Sequence, residues 1–234
     1  VGEPESACAD ETQMFEKPFS IRVIATCLSL MACGPVAAQF VHPGCLSTQA
    51  DLNRMKAKVD AGAQPWTAGY DRLKAAPYCN LNHDADPRPI VYVDSSEGQN
   101  NYIVLARDAA AAYQLALRYH VSGDPAYAAK AVSVLMEWAN THTGWSGNTN
   151  VSLRAGLYGY QLACAGELVR NYSGWAPADF AKFLNYIRNQ FYHIVSPNDV
   201  DRGFLFYHHN TCWSHYWANW EMAAMATVIA TGVL

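Results

Sequence analysis

The sequence lacks a hydrophobic run long enough to cross a bilayer. The apolar stretch 23–32 has only about half of the roughly 20 residues that a membrane-spanning helix needs. It follows the charged residues Glu16, Lys17 and Arg22 and leads to small residues that end at Ala38. This order predicts a secretory signal peptide, so we expect a secreted protein with no membrane anchor. The expected layout is upstream, non-native residues 1–13, a signal peptide 14–38 and a helical domain 39–234.

An excess of charge of either sign is also missing. The chain has 16 Lys and Arg against 20 Asp and Glu, and two of the basic and five of the acidic residues lie in 1–38. Segment 39–234 therefore keeps 14 basic and 15 acidic residues. A near-neutral surface argues against nucleic acid as a partner and against long-range capture of a polyanion. If the substrate is acidic, a few local groups must recognise it.

Cysteine is sparse once the signal peptide is set aside. Three of the seven cysteines lie in 1–38, which leaves Cys45, Cys79, Cys164 and Cys212. Four cysteines in an exported chain allow two disulfides in three possible pairings. The loop-like surroundings of Cys45 and Cys79 favour a disulfide between these two. Cys164 and Cys212 lie in apolar helical patterns and are expected to be free core thiols.

Sustained alternation of polar and apolar residues, the pattern typical of strands, is absent too. Apolar residues recur instead at helical spacing, between Gly, Pro and Asp turns, and the Pro-rich stretch 78–99 predicts a long loop. We expect an all-α fold of antiparallel helical hairpins. Such hairpins can form a bundle, a solenoid or an (α/α) toroid. No 34-residue repeat is visible, which argues against a regular solenoid, and we favour an incomplete (α/α) toroid. The predicted helices cover 47–59, 65–76, 100–121, 125–141, 152–171, 177–194 and a final run after Cys212.

What the sequence does contain is an unusual cluster near its end. Residues 207–220, YHHNTCWSHYWANW, hold three histidines, two asparagines and five aromatic residues. Aromatic faces stack on sugar rings, and His, Asn and Tyr supply hydrogen bonds and a group that exchanges a proton near neutral pH. Helical spacing puts Trp213, Trp217, Trp220 and Ala224 on one face and His215, Asn219 and Met222 on another. The segment predicts a carbohydrate-processing site, with 207–211 ahead of the helix N-terminus.

Four pieces of the sequence resemble the alginate lyase domain family of secreted proteins. They are 42–55 (HPGCLSTQADLNRM), 109–118 (AAAAYQLALR), 156–161 (GLYGYQ) and 215–221 (HYWANWE). The family is similar in fold to other (α/α) toroid polysaccharide lyases. The resemblance implies β-elimination on a uronic-acid polymer, with no cofactor and no metal. It also implies a later segment, bearing an Arg and a His, for which the chain has no counterpart before Leu234, so we expect a truncated member.

The resemblance also implies roles for individual residues. In the family an Asn and a His neutralise the substrate carboxylate, a Tyr or His removes the neighbouring proton, and a Tyr protonates the leaving oxygen. Relatives have Asn where His208 stands, so His209 or Asn210 would neutralise the carboxylate here. The expected catalytic residues are His209, Asn210, His215 and Tyr216. The expected substrate-binding residues are Tyr158, Tyr160, Gln161, Trp213 and Asn219.

Other functions remain open at this level. A glycoside hydrolase would need two carboxylates, and the region offers Asp199, Asp201 and Glu221. A zinc site would use His209, Cys212 and His215. A non-catalytic carbohydrate-binding fragment is a further alternative. Arg154 is a candidate for holding a uronate carboxylate through two parallel hydrogen bonds.

Overall fold

The structure, a computed structural model, describes residues 40–210 and 219–234, and at 208–210 it describes the backbone alone. The described part is mostly helical, as predicted for an all-α protein. A π-helical turn spans Arg188–Tyr192. In chain order the elements are α1 (Gln49–Asp60), α2 (Trp66–Ala75), β1 (Ile90–Val93), α3 (Tyr102–Ser122), α4 (Pro125–Thr141), β2 (Gly144–Gly147), α5 (Asn150–Val169), α6 (Pro177–Ile187), α7 (His193–Val195), α8 (Phe204–Asn210) and α9 (Asn219–Val233).

Helix boundaries follow capping signals in the sequence. The side chain of Thr48 accepts a hydrogen bond from the Asp51 amide, and the Asp51 carboxylate accepts one from the Thr48 amide, so α1 begins with a capping box. Asp124 caps α4, whose first residue is Pro125. The described helices do not include one that is both long and apolar enough to span a membrane.

Two short strands correct the expectation that 78–99 is only a loop. Ile90–Val93 pairs in parallel with Gly144–Gly147, with Ile90 opposite Gly144 and Val93 opposite Gly147. Val91 and Val93 are fully buried, which explains why this stretch leaves the loop conformation. The sheet ties the 78–99 region to the turn that connects α4 to α5.

A buried carboxylate holds the start of the same region. Asp108 of α3 is only 2% exposed and accepts hydrogen bonds from the Trp138 indole at 2.7 Å and the Asp86 amide at 2.9 Å. The His83 ring lies 2.8 Å from its other oxygen. A buried carboxylate needs such partners because burial removes its hydration. Asp108 therefore fixes the loop onto α3 and α4.

Helix α5 is the centre of the core and runs parallel to its two neighbours α3 and α9. Tyr102 and His120 of α3 contact Tyr158 and Leu168 of α5, so positions in the two helices rise together. Gly156 and Gly159 lie against Ala223 and Thr227 of α9 in the same order. Helix α4 packs on both α3 and α5. The N-terminal ends of α3, α5 and α9 therefore point the same way.

Candidate functional site

Several predicted catalytic and binding residues fall where the structure gives no side-chain geometry. Trp213, His215 and Tyr216 lie outside the described residues. His209 and Asn210 are the last two residues of α8, and the structure describes only their backbone. Their assignment stays a prediction from the sequence.

The backbone of α8 corrects one expectation about this segment. Residues 207–210 were predicted to be non-helical, but they form the second half of Phe204–Asn210. A turn starts this helix, because the Asp199 carboxylate accepts hydrogen bonds from the amides of Asp201 and Arg202, both at 3.0 Å. Leu205 is buried and anchors the helix. The polar residues after Tyr207 obscured the helical signal of this segment in the sequence.

The first turn of α9 agrees with the two faces predicted for it. The Trp220 ring packs on Phe204 of α8, with ring centroids 5.9 Å apart, and Ala224 is fully buried. Asn219 is exposed at the first position of the helix, and Met222 is 68% exposed. Asn219 is therefore available to a ligand, whereas Trp220 joins α9 to α8.

Close contact between α5 and α9 fixes the position of Asn219 along the axis of this helix pair. A Cβ atom at Gly156 would lie 2.8 Å from the carbonyl carbon of Ala223. The Thr227 hydroxyl donates to the Gly156 carbonyl oxygen at 2.7 Å. Because Asn219 precedes Ala223 by four residues, it lies about 6 Å further toward the N-terminal end of the pair.

Tyr160 and Gln161 line one cavity, on the side of α5 that faces α3. Its volume is about 280 Å³, close to the lower end of the roughly 300–1,000 Å³ of ligand sites. The Oε1 atom of Gln114 is buried and accepts no hydrogen bond from the described residues, so a ligand hydroxyl would satisfy it. The remaining lining residues are Leu46, Ala110 and Tyr113.

Sequence reasoning missed Tyr113 and Gln114 as parts of this cavity. Both occur in the segment 109–118 that carries the family resemblance, but the surrounding alanines give only a helical signal. Burial raises the pKa of Tyr113 above its ordinary value, so its hydroxyl keeps its proton at neutral pH and can donate a hydrogen bond. A cavity with aromatic faces and amide groups suits a sugar ring.

Arg154 sits at the N-terminal end of the same face of α5. Its side chain lies over the Tyr102 ring, with Cζ 4.2 Å from the ring centroid, and it donates to the Tyr102 hydroxyl at 3.3 Å. The Nε atom is buried and has no acceptor among the described residues. A carboxylate would supply the acceptor that Nε lacks. Arg154 and Gln161 are seven residues apart, so they share a face of the helix with about 10 Å between them.

Tyr158, predicted to bind substrate, is largely buried beside Tyr102. It is 8% exposed and stacks on Tyr102, with ring centroids 6.4 Å apart. Burial raises the pKa of Tyr158, although the nearby Arg154 guanidinium opposes that shift. Tyr158 therefore packs against Tyr102 and presents little surface to a ligand.

No protein-family model, curated protein or solved structure matches this chain. The chemistry of the site is therefore inferred from its side chains. These are a half-buried cation, a cavity lined by tyrosine and glutamine, and an exposed asparagine at the start of α9.

Of the three carboxylates considered for a hydrolase, Asp199 has a structural role. Asp199 holds the turn before α8, and the hydrogen bond from His193 at 2.8 Å lowers its pKa. Asp201 is exposed. Among the side chains that the structure describes, 40–207 and 219–234, no group of three His, Cys, Asp or Glu is arranged to hold a metal ion. The side chains of the zinc candidates His209, Cys212 and His215 all lie outside these ranges.

The cysteines are arranged differently from the predicted pairing. Cys45 and Cys164 of α5 line the same small cavity, and Cys79 does not. Cys79 is buried elsewhere, 3.6 Å from the carbonyl oxygen of Gln114, and all three are free thiols. The proposed Cys45–Cys79 disulfide is therefore wrong. Its basis was the loop context of both residues, which does not report their distance in the fold.

Proposed function

We propose that the protein is a secreted polysaccharide lyase that cleaves alginate or a related polyuronate by β-elimination. One observation carries the proposal beyond the sequence resemblance. Arg154 and Gln161 lie on the same face of α5, and Gln161 lines the cavity with Tyr113, Gln114 and Tyr160. This row offers a cation for a uronate carboxylate and, about 10 Å away, a polar and aromatic cavity for a sugar ring.

The proposed reaction removes the proton on C5 of a uronate residue. That carbon is next to the carboxylate, and the proton becomes acidic enough to leave only when the negative charge is neutralised. The C5–H electron pair then forms the C4–C5 double bond, while the bond from C4 to the glycosidic oxygen breaks. The leaving oxygen takes up a proton. One chain end becomes unsaturated, and no water is consumed.

The predicted residues divide these tasks between them. His209 and Asn210, at the end of α8, are proposed to neutralise the carboxylate at the bond that breaks. His215 and Tyr216 are proposed to remove and return the proton, because imidazole and phenol groups exchange protons in such roles. Trp213 and Asn219 are proposed to hold the sugar. Arg154 then binds a carboxylate of another residue in the polymer.

The proposed architecture is an (α/α) toroid. Its support is that α3, α5 and α9 lie side by side in parallel, and that α4 packs against both α3 and α5 as the return between them. In a toroid of this kind, the parallel inner helices present their ends to a common cleft. Tyr102, Arg154 and Asn219 all lie near such ends.

The direct test is to incubate the full chain with polymannuronate, polyguluronate and glucuronan and to record ultraviolet absorbance from the new C4–C5 double bond. A carboxyl-reduced form of the best polymer is the matched control. We expect absorbance to rise with the acidic polymer and not with its neutral form, because the reaction needs the carboxylate. Folded protein that gives no absorbance with any of the three polymers would contradict the proposal.

A second candidate function is binding without cleavage. The cavity and Arg154 lie entirely within the described residues and do not include the predicted catalytic residues, so binding there would not require turnover. Affinity measured by calorimetry, without any rise in absorbance, would favour this function. Release of reducing sugar without absorbance would favour a hydrolase.

A further inference from the structure

Cys45 and Cys164 lie side by side although 119 positions separate them in the chain. Both line one small cavity, and each thiol shifts the pKa of the other. The Cys45 Sγ atom is also 3.8 Å from the Ala230 carbonyl oxygen of α9. Segment 41–48, α5 and α9 therefore meet at this pair of thiols.

The two thiols have unequal chemistry. The neighbouring Cys164 thiol lowers the pKa of Cys45, because a nearby S–H donor stabilises the thiolate, although burial and Glu167 oppose the shift. The same contact raises the pKa of Cys164, together with burial. Cys45 is half-buried, whereas Cys164 is 2% exposed. Cys45 is therefore the accessible nucleophile, and Cys164 is placed to attack a sulfur bound to it.

We propose that Cys45 and Cys164 form a disulfide that attaches segment 41–48 to α5. The oxidant is a small disulfide such as glutathione disulfide. The Cys45 thiolate attacks one of its sulfurs and releases a first glutathione thiolate, which leaves a mixed disulfide on Cys45. Cys164 then loses its proton, attacks the Cys45 sulfur and releases the second glutathione thiolate. Two protein thiols are oxidised, and one small disulfide is reduced to two thiols.

The disulfide would reinforce contacts that already hold this segment. The Glu167 carboxylate is 1% exposed and accepts a hydrogen bond from the Gly44 amide at 3.1 Å. The His42 ring lies 2.6 Å from the same oxygen. Leu46, the next residue after Cys45, lines the cavity with Tyr160 and Gln161. Oxidation would therefore fix one edge of the cavity in place.

The test begins with the full chain, oxidised with glutathione disulfide or reduced with dithiothreitol. Combined tryptic and chymotryptic digestion, followed by mass spectrometry under non-reducing conditions, identifies the linked residues. We expect a Cys45–Cys164 linkage in the oxidised protein and none in the reduced protein. The oxidised protein should melt about 5–15 °C higher, because the cross-link closes a long loop in the unfolded chain.

Matched variants separate this linkage from oxidation elsewhere. Cys45→Ser and Cys164→Ala should each abolish the difference in melting temperature between oxidised and reduced protein. Cys79→Ser is the control and should keep the difference in melting temperature, because Cys79 is 0% exposed and its thiol donates a hydrogen bond to the Gln114 carbonyl oxygen. The proposal is overturned if Cys45 and Cys164 both remain alkylatable after oxidation and denaturation, or if either is found linked to another cysteine.

Discussion

Gly156 of α5 lies so close to Ala223 of α9 that a Cβ atom at position 156 would be 2.8 Å from the Ala223 carbonyl carbon. Gly159, one turn further on, would place a Cβ atom 2.9 Å from the Thr227 side chain. The two helices pack through backbone, because α5 has no side chains at these positions. Because these two positions of α5 are glycines, α9 can approach α5 closely, and this close approach sets the position of Asn219.

Gly156→Ala should push α9 away from α5. Overpacking of this kind costs about 1–3 kcal/mol, so we expect the free energy of unfolding in urea to fall by that amount. Gly69→Ala is the matched control, since Gly69 is exposed in α2 and no atom lies within 4 Å of a Cβ built there. That control should be neutral or stabilising by about 0.5–1 kcal/mol. Equal effects of the two substitutions would show that α9 is not packed as described.

Protonation of His142 should destabilise the fold in mild acid. The ring is 3% exposed among Trp138, Trp145 and Tyr186, and burial lowers its pKa to about 4. The unfolded chain, with a pKa of about 6.5, binds more protons between these values. The free energy of unfolding should therefore have its full value above about pH 6.5 and fall by about 3 kcal/mol as the pH drops to about 4.

Urea unfolding between pH 4 and 7 measures this dependence, and His142→Gln should weaken it. Burial also lowers the pKa of His120, so part of the dependence should remain in that variant. The NMR titration of the His142 ring is independent of any effect of substitution on folding. A ring that titrates near pH 6.5 in the folded protein would rule out this account.

If the protein binds a polyuronate as proposed, Arg154→Gln should weaken that binding. A hydrogen bond to a charged group contributes about 1.5–3 kcal/mol, which corresponds to a KM higher by about 10- to 150-fold. Arg154→Lys should recover only part of the loss, because lysine cannot make two parallel hydrogen bonds. The control is Arg107→Gln, which removes an exposed cation from α3. Equal KM values for the Arg154→Gln and Arg107→Gln variants would exclude Arg154 from the binding surface.

Substitutions in the aromatic cluster should separate chemistry from packing. His209→Ala, His215→Ala and Tyr216→Phe should each lower kcat on the order of 100-fold while the melting temperature stays the same. Trp217→Ala should instead cost about 3–5 kcal/mol of stability, because its ring is predicted to face the core. Melting curves and turnover with a polyuronate, measured on all four variants, test the assignment. It is reversed if the histidine variants unfold and the tryptophan variant folds but loses affinity.

The long helices could be predicted from sequence because their signals are local. Asp124 and Pro125 mark the start of α4 with a cap and a fixed backbone angle, and both act within one helical turn. The strands could not be predicted in this way. The segment of β2, Gly144–Gly147, contains few strand formers and becomes a strand only because β1 lies beside it.

The site was predictable in part for the same reason. The spacing along α9 correctly separated Asn219 from Trp220 and Ala224, because helical faces depend on sequence alone. The cavity that Gln161 shares with Gln114 depends on how α3 packs on α5. The partner of Cys45 depends in the same way on a contact across more than a hundred residues.

The attachment of distant segments to α5 has a consequence for the order in which the protein opens. Helices α3, α4 and α5 are neighbours in the chain, whereas the contacts of His42 with Glu167 and of Cys45 with Ala230 span 125 and 185 positions. We expect amide protons in α5 to exchange with solvent only through global unfolding, and those in α9 to exchange sooner. Asn219 would then lie on a helix that opens earlier than α5, the helix against which α9 packs.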